Sequence, residues 1–442
     1  MRFVQKLSAG FFLTSLSIFA NPGFADDKLG LSGNVGAPEY AVSPPRDFAD
    51  AKLATSATIG RQPVAVNPKN PNVFVAAFTA QGACWVRTST NGGQTWAAAR
   101  KLPMPEGKKN CDTPAVTWTP DGSGIYAAYS YLLGDPFDSQ EAGAIVSSSN
   151  DKGLTWSSPK IALHYPYEYF RIISLQLSTP LRPSDPKWVY LLSDLRHFDS
   201  GHAEFTRSAD GGRTWSPGQR LTGYDDTSGN VNRPSVAGGL GGEVLVAWGE
   251  DLYDWDGNLL FKNVFFRRSA DYGNSFSADM VAVPDTTGDT AVAFGSGGTA
   301  HLVYLDGYNG KPSYVYSTKA PYTAWSKPVA LSDDTSASGY YSPALSVSAC
   351  GSNTSVLHAI WMDDRLGTDK LNLFYTRKVA KTGEMWSPNL RISGTVMSPD
   401  YWLGAGIAAG VGSAVSVWGQ QNRYASPVPV RSSRIAPGVS CP

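Results

Sequence analysis

The sequence predicts an all-β fold: a β-propeller of four-stranded antiparallel blades. Three observations point to it. Four segments share the pattern Ser-x-(Asp/Asn)-x-Gly-x-(Thr/Ser)-(Trp/Phe): Ser89 to Trp96, Ser149 to Trp156, Ser208 to Trp215 and Ser269 to Phe276. Their starts lie 60, 59 and 61 residues apart, and a fixed period of this kind marks a repeat architecture. Each period also holds four strand-like runs, which is the content of one blade.

The motif has a local physical reading. The Asp or Asn oxygen can accept bonds from nearby backbone N–H groups and hold a tight turn. The Gly takes backbone angles closed to other residues. The terminal aromatic turns inward, and burying its ring is worth about 1.5–3 kcal/mol. Two worn copies follow, around Ser317 to Trp325 and Thr376 to Trp386.

The strands are read in order within each unit. A short run follows a Pro or small residue, as in QPVAV, TPAVTW, RPSVAGG and SPALSV. An apolar run ending in an aromatic comes next, as in VFVAAF, IYAAY, VLVAW and VSVW. A third run leads into the motif, and a fourth follows its aromatic. First strands are expected near Pro63, Pro114, Ile173, Pro234, Thr290, Pro343 and Ala405, which makes seven units. Six blades with a decorated rim is the competing count. The seventh unit has only three strands, while residues 26–60 have no unit of their own. Their AVSPP segment is expected to supply the missing outer strand and close the ring, removing two free sheet edges. The propeller then spans residues 61–442.

The beginning of the chain reads as a secretory signal over residues 1–25. Arg2 and Lys6 precede an apolar stretch from Leu7 to Ala20, and Gly23 and Ala25 stand at −3 and −1 of a cut before Asp26. The stretch is shorter than the roughly 20 residues that span a bilayer, so no membrane span is expected. Without it, 35 basic residues (37 less Arg2 and Lys6) face 37 acidic ones. That balance lacks the basic excess of a nucleic-acid binder. Four cysteines in an exported chain suggest disulfides. Strand positions place Cys84 and Cys111 on one face and Cys350 and Cys441 on the other, so bridges 84–111 and 350–441 are expected. No Cys or His spacing suggests zinc, and no metal or other cofactor is expected.

The repeated motif and strand pattern resemble the sialidase superfamily of Asp-box propellers, over nearly all of the chain after residue 25. The resemblance implies that the boxes sit between third and fourth strands, away from the active site, and are structural. It also implies a carbohydrate-directed site with three arginines on a substrate carboxylate, an Asp acid/base and a Tyr–Glu nucleophile pair. The family's first arginine opens the first blade in a (Phe/Tyr)-Arg-Ile-Pro motif. Here that place reads Gly60-Arg61-Gln62-Pro63, so Arg61 matches it. Phe170-Arg171-Ile172-Ile173 is a second echo at the third unit. The family's acidic residue follows the second strand of the first blade, where this chain reads TAQGACW, without Asp or Glu. Tyr401 is the tyrosine placed in the last unit.

Topology offers candidates independently. Loops that precede first strands and follow second strands gather at one mouth of the central channel, where ligand pockets usually form. Aligning the units on the aromatic of the second strand gives Phe78, Tyr129, Leu192, Trp248, Tyr304, Trp361 and Trp418. Two positions later stand Ala80, Tyr131, Asp194, Glu250, Asp306, Asp363 and Gln420. Asp194, Glu250, Asp306 and Asp363, with Tyr401, are the catalytic candidates, because neighbouring carboxylates can split their pKa values into an acid and a base. Arg61, Asp112, Arg171, Arg233, Tyr341 and Trp402 are the substrate-binding candidates. Arginines can grip a sugar carboxylate bidentately, and aromatic loop residues can serve as platforms. The same carboxylates also suit blade-to-blade ion pairs. His164, His197 and His202 are weaker base candidates, and Asp254 to Asn258 reads as a polar hairpin tip. The expected function is an exported carbohydrate-directed propeller, in the sialidase-like case a glycoside hydrolase of acidic glycans. A non-catalytic glycan- or protein-binding module and a structural cell-surface protein are the alternatives. The expected partner is carbohydrate, and the expected state is a monomer.

Overall fold

Seven four-stranded antiparallel sheets make up the propeller. The structure, a computed structural model, describes residues 50–435 apart from 136–137, 167–169, 183–184, 186, 198–199, 223–229, 255, 257, 308–309, 351–353, 368–369, 382, 395–402, 411 and 421–427. First strands run Val64–Asn67, Asp112–Trp118, Phe170–Ser178, Asn230–Gly238, Thr290–Phe294, Tyr340–Ala349 and Leu403–Gly410. Each contacts the next, and the last contacts the first, so they line a closed ring. No helix among the described residues is long and apolar enough to cross a membrane.

The seventh blade is completed from the other end of the chain. Its outer strand is Ala51–Ala57, paired antiparallel with Val428–Ile435. The AVSPP segment expected in that place lies outside the described residues. AKLATSA fills the position with Leu53 and Ala57 buried, while Lys52, Thr55 and Ser56 reach solvent and two register shifts interrupt its pairing. Leu53 joins Phe74, Val417 and Val430 in the apolar layer between the first and seventh blades.

The repeated hairpins explain how the blades are joined. In the second copy, Asp151 Oδ1 accepts bonds from Ser149 Oγ at 2.8 Å, Leu154 N at 3.0 Å and Thr155 N at 2.9 Å. Asp210 and Asp271 repeat the arrangement. In the first copy Asn91 keeps it, with Nδ2 donating to Thr95 Oγ1 at 2.9 Å. Gly93, Gly153, Gly212 and Gly273 all lie at φ between 78° and 83°, a region that favours glycine. The turn then directs its aromatic onto the junction with the preceding blade. Trp96, Trp156, Trp215 and Phe276 each pack half-buried against such a layer. Trp325 and Trp386 do the same from the two worn copies.

Cys84 and Cys111 are bridged, tying the first blade to the start of the second. Cys350 is also disulfide-bonded, and Cys441 lies outside the described residues.

Two predictions follow from this packing. Leu53→Ala should lower unfolding free energy by about 2–5 kcal/mol, the usual cost of truncating a core leucine. An unchanged urea midpoint would show that the closing strand adds nothing. The second concerns His301 and His358, whose Nδ1 atoms each lie 2.8 Å from a tyrosine hydroxyl, Tyr314 and Tyr375. Burial, helped by the nearby charge of Lys378 or Arg377, lowers both pKa values from 6.5 to about 3. Between those limits the unfolded chain binds more protons than the folded one, so stability falls as pH drops below 6.5. Denaturation at pH 7, 5 and 4 should show this slope flattened in the His301→Asn/His358→Asn variant.

Candidate functional site

The mouth of the channel is built where first strands begin. At three blades the residue before a Pro takes a positive φ: Thr113 at 46°, Arg233 at 27° and Ser342 at 48°. A following Pro excludes the α region, and the pairing with the second strand slips at each of these points. Such bulges re-aim side chains. Sparse backbone states of this kind cluster where structure over-determines them.

Arg61 crosses the channel. From the first blade its Nη1 donates to the carbonyl of Arg233 at 2.5 Å, and its Nη2 to the carbonyl of Thr290 at 2.8 Å. Those acceptors belong to the fourth and fifth blades, on the far side of a seven-membered ring. Burial lowers its pKa to about 10, with Asp289 pulling it up and Arg233 pushing it down. It therefore stays charged at neutral pH. Beyond it the channel holds a cavity of about 460 Å³ lined by all seven first strands.

Around Arg61 stand further charges. Arg233 Nη1 lies 3.2 Å from Asp289 Oδ2 and 3.5 Å from Ser342 Oγ. Asp194 is buried, with Arg196 Nε 3.5 Å from Oδ1. Neither Asp194 oxygen receives a hydrogen bond from the described residues. Burial raises its pKa, against the opposing pull of Arg196, Arg233 and Arg61. A carboxyl held toward its neutral form in this way can donate a proton. Arg196 also donates from Nη2 to the Val231 carbonyl at 2.8 Å. The site thus gathers three guanidiniums over two carboxylates, with Arg196 and Arg233 partly open to solvent.

The acidic column does not converge as the aromatic alignment predicts. In the sheets, Val189 pairs with Ser208 as Val244 pairs with Ser269. Four residues on from each, Ser193 rather than Leu192 matches Trp248, and Leu195 rather than Asp194 matches Glu250. A one-residue slip flips a strand side chain to the other face, which is why Asp194 meets the arginines. Glu250 instead accepts Trp248 Nε1 at 2.9 Å, and burial raises its pKa. Asp363 likewise accepts Trp361 Nε1 at 2.8 Å and pairs with Arg365 at 2.8 Å. Asp306 is exposed and accepts the Thr286 hydroxyl at 2.6 Å. Glu250 and Asp363 therefore end the aromatic layers between blades.

The remaining candidates are scattered. Asp112 is buried, and its Oδ1 accepts Thr113 N at 2.9 Å. Arg171 is half-buried, in register with Arg196. Tyr341 is half-buried against the layer between the sixth and seventh blades. Tyr401, Trp402 and the side chain of His197 lie outside the described residues. His202 is buried. Asp254 Oδ1 accepts Asp256 N and Asn258 N, as a polar hairpin tip would.

His164 belongs to a separate cluster at the rim of the second blade. Its Nδ1 lies 2.9 Å from Tyr131 Oη and 3.2 Å from Glu141 Oε1. Glu141 also takes the Tyr131 hydroxyl at 2.7 Å and pairs with Lys108. Burial raises the Glu141 pKa less than the bonds from Lys108 and Tyr131 lower it, so the carboxylate persists. Burial and Glu141 push the Tyr131 hydroxyl well up. Sequence reasoning missed Glu141 and Asp289; Arg196 it named only as an ion-pair partner for the carboxylates, which is how it meets Asp194. Asp289 directly precedes the fifth first strand, a position equivalent to Arg233, and that was the signal available for it.

No protein-family description matches the sequence, and no curated protein matches it either. Solved structures do resemble it. A polysaccharide lyase, an ulvan lyase, superposes with TM-score 0.54 at 9% identity, covering 88% of this chain and 96% of its own. The same enzyme bound to -[GlcA(1-4)Rha3S]- gives TM-score 0.52 at 10% identity, with the same coverage. A Hadza microbial sialidase gives TM-score 0.49 at 14% identity, covering 80% and 73%. At these identities the likeness is one of fold, shared with carbohydrate-active propellers.

Arg61→Ala should lower unfolding free energy by about 3 kcal/mol or more, since it strands buried carbonyls and leaves Asp194 and Asp289 with less compensation. An unaltered denaturation midpoint would remove the cross-channel tie from the account.

Proposed function

We propose that the chain is an exported, sialidase-like Asp-box propeller that takes an acidic glycan at the mouth of its channel. The observation that carries this reading is the convergence of Arg61, Arg196 and Arg233 around Asp194. Arg61 is committed to backbone carbonyls and sets the floor. Arg196 and Arg233 are partly exposed and offer guanidinium donors in the fork geometry that suits a carboxylate or sulfate. Two of the structural neighbours are an ulvan lyase alone and with an acidic, sulfated disaccharide; they support the fold, and the site supports the ligand class.

Asp194 is the proton donor this arrangement would use for hydrolysis. Glu250, Asp306 and Asp363 are held by other contacts, which favours Asp194 over the rest of the column. A non-catalytic binding module is the second reading. It is favoured by Asp289, the second carboxylate beside the guanidiniums, being paired with Arg233 rather than left free to act on a substrate.

A glycan screen read for both binding and cleavage tests the proposal. Wild-type protein should bind carboxylated or sulfated oligosaccharides and not neutral ones. Arg233→Ala should weaken that binding about ten- to hundredfold, the worth of a charge-assisted contact. Cleavage lost in Asp194→Asn with binding retained would assign the acid. Affinity untouched by Arg233→Ala, together with a large fall in melting temperature, would mean that the cluster only holds the ring.

A further inference from the structure

The face opposite the mouth carries a second cavity, of about 370 Å³, between the hairpins of the second and third blades. Its size falls within the range of about 300–1,000 Å³ common for small-ligand pockets. Lys160, Lys187 and Arg213 surround it and are all exposed. Among the described residues, none of the three forms an ion pair. Asp210 also lines the cavity, yet its carboxylate is turned into its own turn. Oδ1 takes Ser208 Oγ, Arg213 N and Thr214 N, and Oδ2 takes Thr214 Oγ1 at 2.7 Å. Its oxygens are thereby occupied, and among the described residues they form no ion pair with the three cations, although its charge remains.

A second observation points to a ligand. Tyr126 is only 5% exposed, it lines the cavity, and its hydroxyl has no hydrogen-bond partner among the described residues. Burial raises its pKa to about 12, with Asp121 adding to the rise. It is therefore a neutral donor at physiological pH. Its ring is buried while its hydroxyl opens to the cavity, where a ligand oxygen would give it a partner. Ser158 and Asn150 line the same wall.

We propose that this cavity is a second glycan site, which binds an anionic sugar unit, sulfated or carboxylated, on the face away from the mouth. The proposal rests on the reading of the chain as glycan-directed. Lys187, Lys160 and Arg213 supply charge, while Tyr126, Ser158 and Asn150 supply neutral hydrogen bonds to sugar oxygens. With one site on each face, a long acidic polymer could be anchored at one while it is engaged at the other, and linked sites raise effective concentration without a new contact.

Calorimetric titration with dextran sulfate oligomers, oligogalacturonate and uncharged dextran tests it, on folded full-length protein at low and physiological salt. The first two probes distinguish sulfate from carboxylate as the recognised group. Lys187→Ala/Arg213→Ala should weaken binding of at least one anionic probe about tenfold or more. Tyr126→Phe should weaken it a few-fold at unchanged melting temperature. Arg100→Ala/Lys101→Ala, which removes two exposed charges from the first blade, should leave it unchanged. Wild-type affinity in the Lys187→Ala/Arg213→Ala variant overturns the site, as does an equal loss in the Arg100→Ala/Lys101→Ala control. Arg233→Ala reports on the mouth separately, so either site can fail while the other stands. Failure of wild-type protein to bind any anionic probe overturns both.

Discussion

A guanidinium taken out of water must find protein acceptors for its donors, because it cannot discard its charge. Arg61 finds them on the far side of the channel, at the carbonyls of Arg233 and Thr290. Much of the mouth follows from that one crossing. The carbonyls are presented by the beginnings of the fourth and fifth first strands, so the heights of those blades are set against the first. The buried charge favours Asp194 and Asp289 nearby, and these in turn hold Arg196 and Arg233. Arg61 crosses the channel at the mouth, and a cavity lies behind it.

A second constraint acts at the opposite face. Each intact hairpin holds its own Asp or Asn by the same set of bonds, and that shared turn aims an aromatic at the seam with the preceding blade. Local hydrogen bonding thereby sets a tertiary contact. The layers between blades end, toward the mouth, in paired polar groups: Trp248 with Glu250 and Trp361 with Asp363. Both members of each pair are buried, so each carboxylate satisfies the indole N–H; Arg365 completes the bonding of Asp363, while Glu250 Oε1 has no partner among the described residues.

Much of this was legible in the sequence. The four motifs dictated the repeat, the repeat dictated the blades, and the strand positions of Cys84 and Cys111 anticipated their bridge. The site was legible in part. Aromatic residues served to align the second strands, and the third unit carries Ser193 where the others carry a large ring. The alignment therefore settled on Leu192, one step away, and Asp194 was grouped with carboxylates on the wrong face. Hairpins between second and third strands differ in length, so spacing from the motif could not correct the slip. The partners of Arg61 were invisible for another reason. They are backbone carbonyls, which every residue carries, and no side-chain pattern announces them.

The strand Ala51–Ala57 has a kinetic consequence. It leaves the ribosome, or enters an export channel, before any of the sheets, and its partner Val428–Ile435 comes after nearly all of them. For all that time its backbone donors and acceptors have only solvent or strangers to pair with. Contacts of such long sequence separation form late, because the chain must first be drawn into a closed loop. The first part of the propeller to be made is thus the last to be used, and six blades must stand in line before the seventh can be finished.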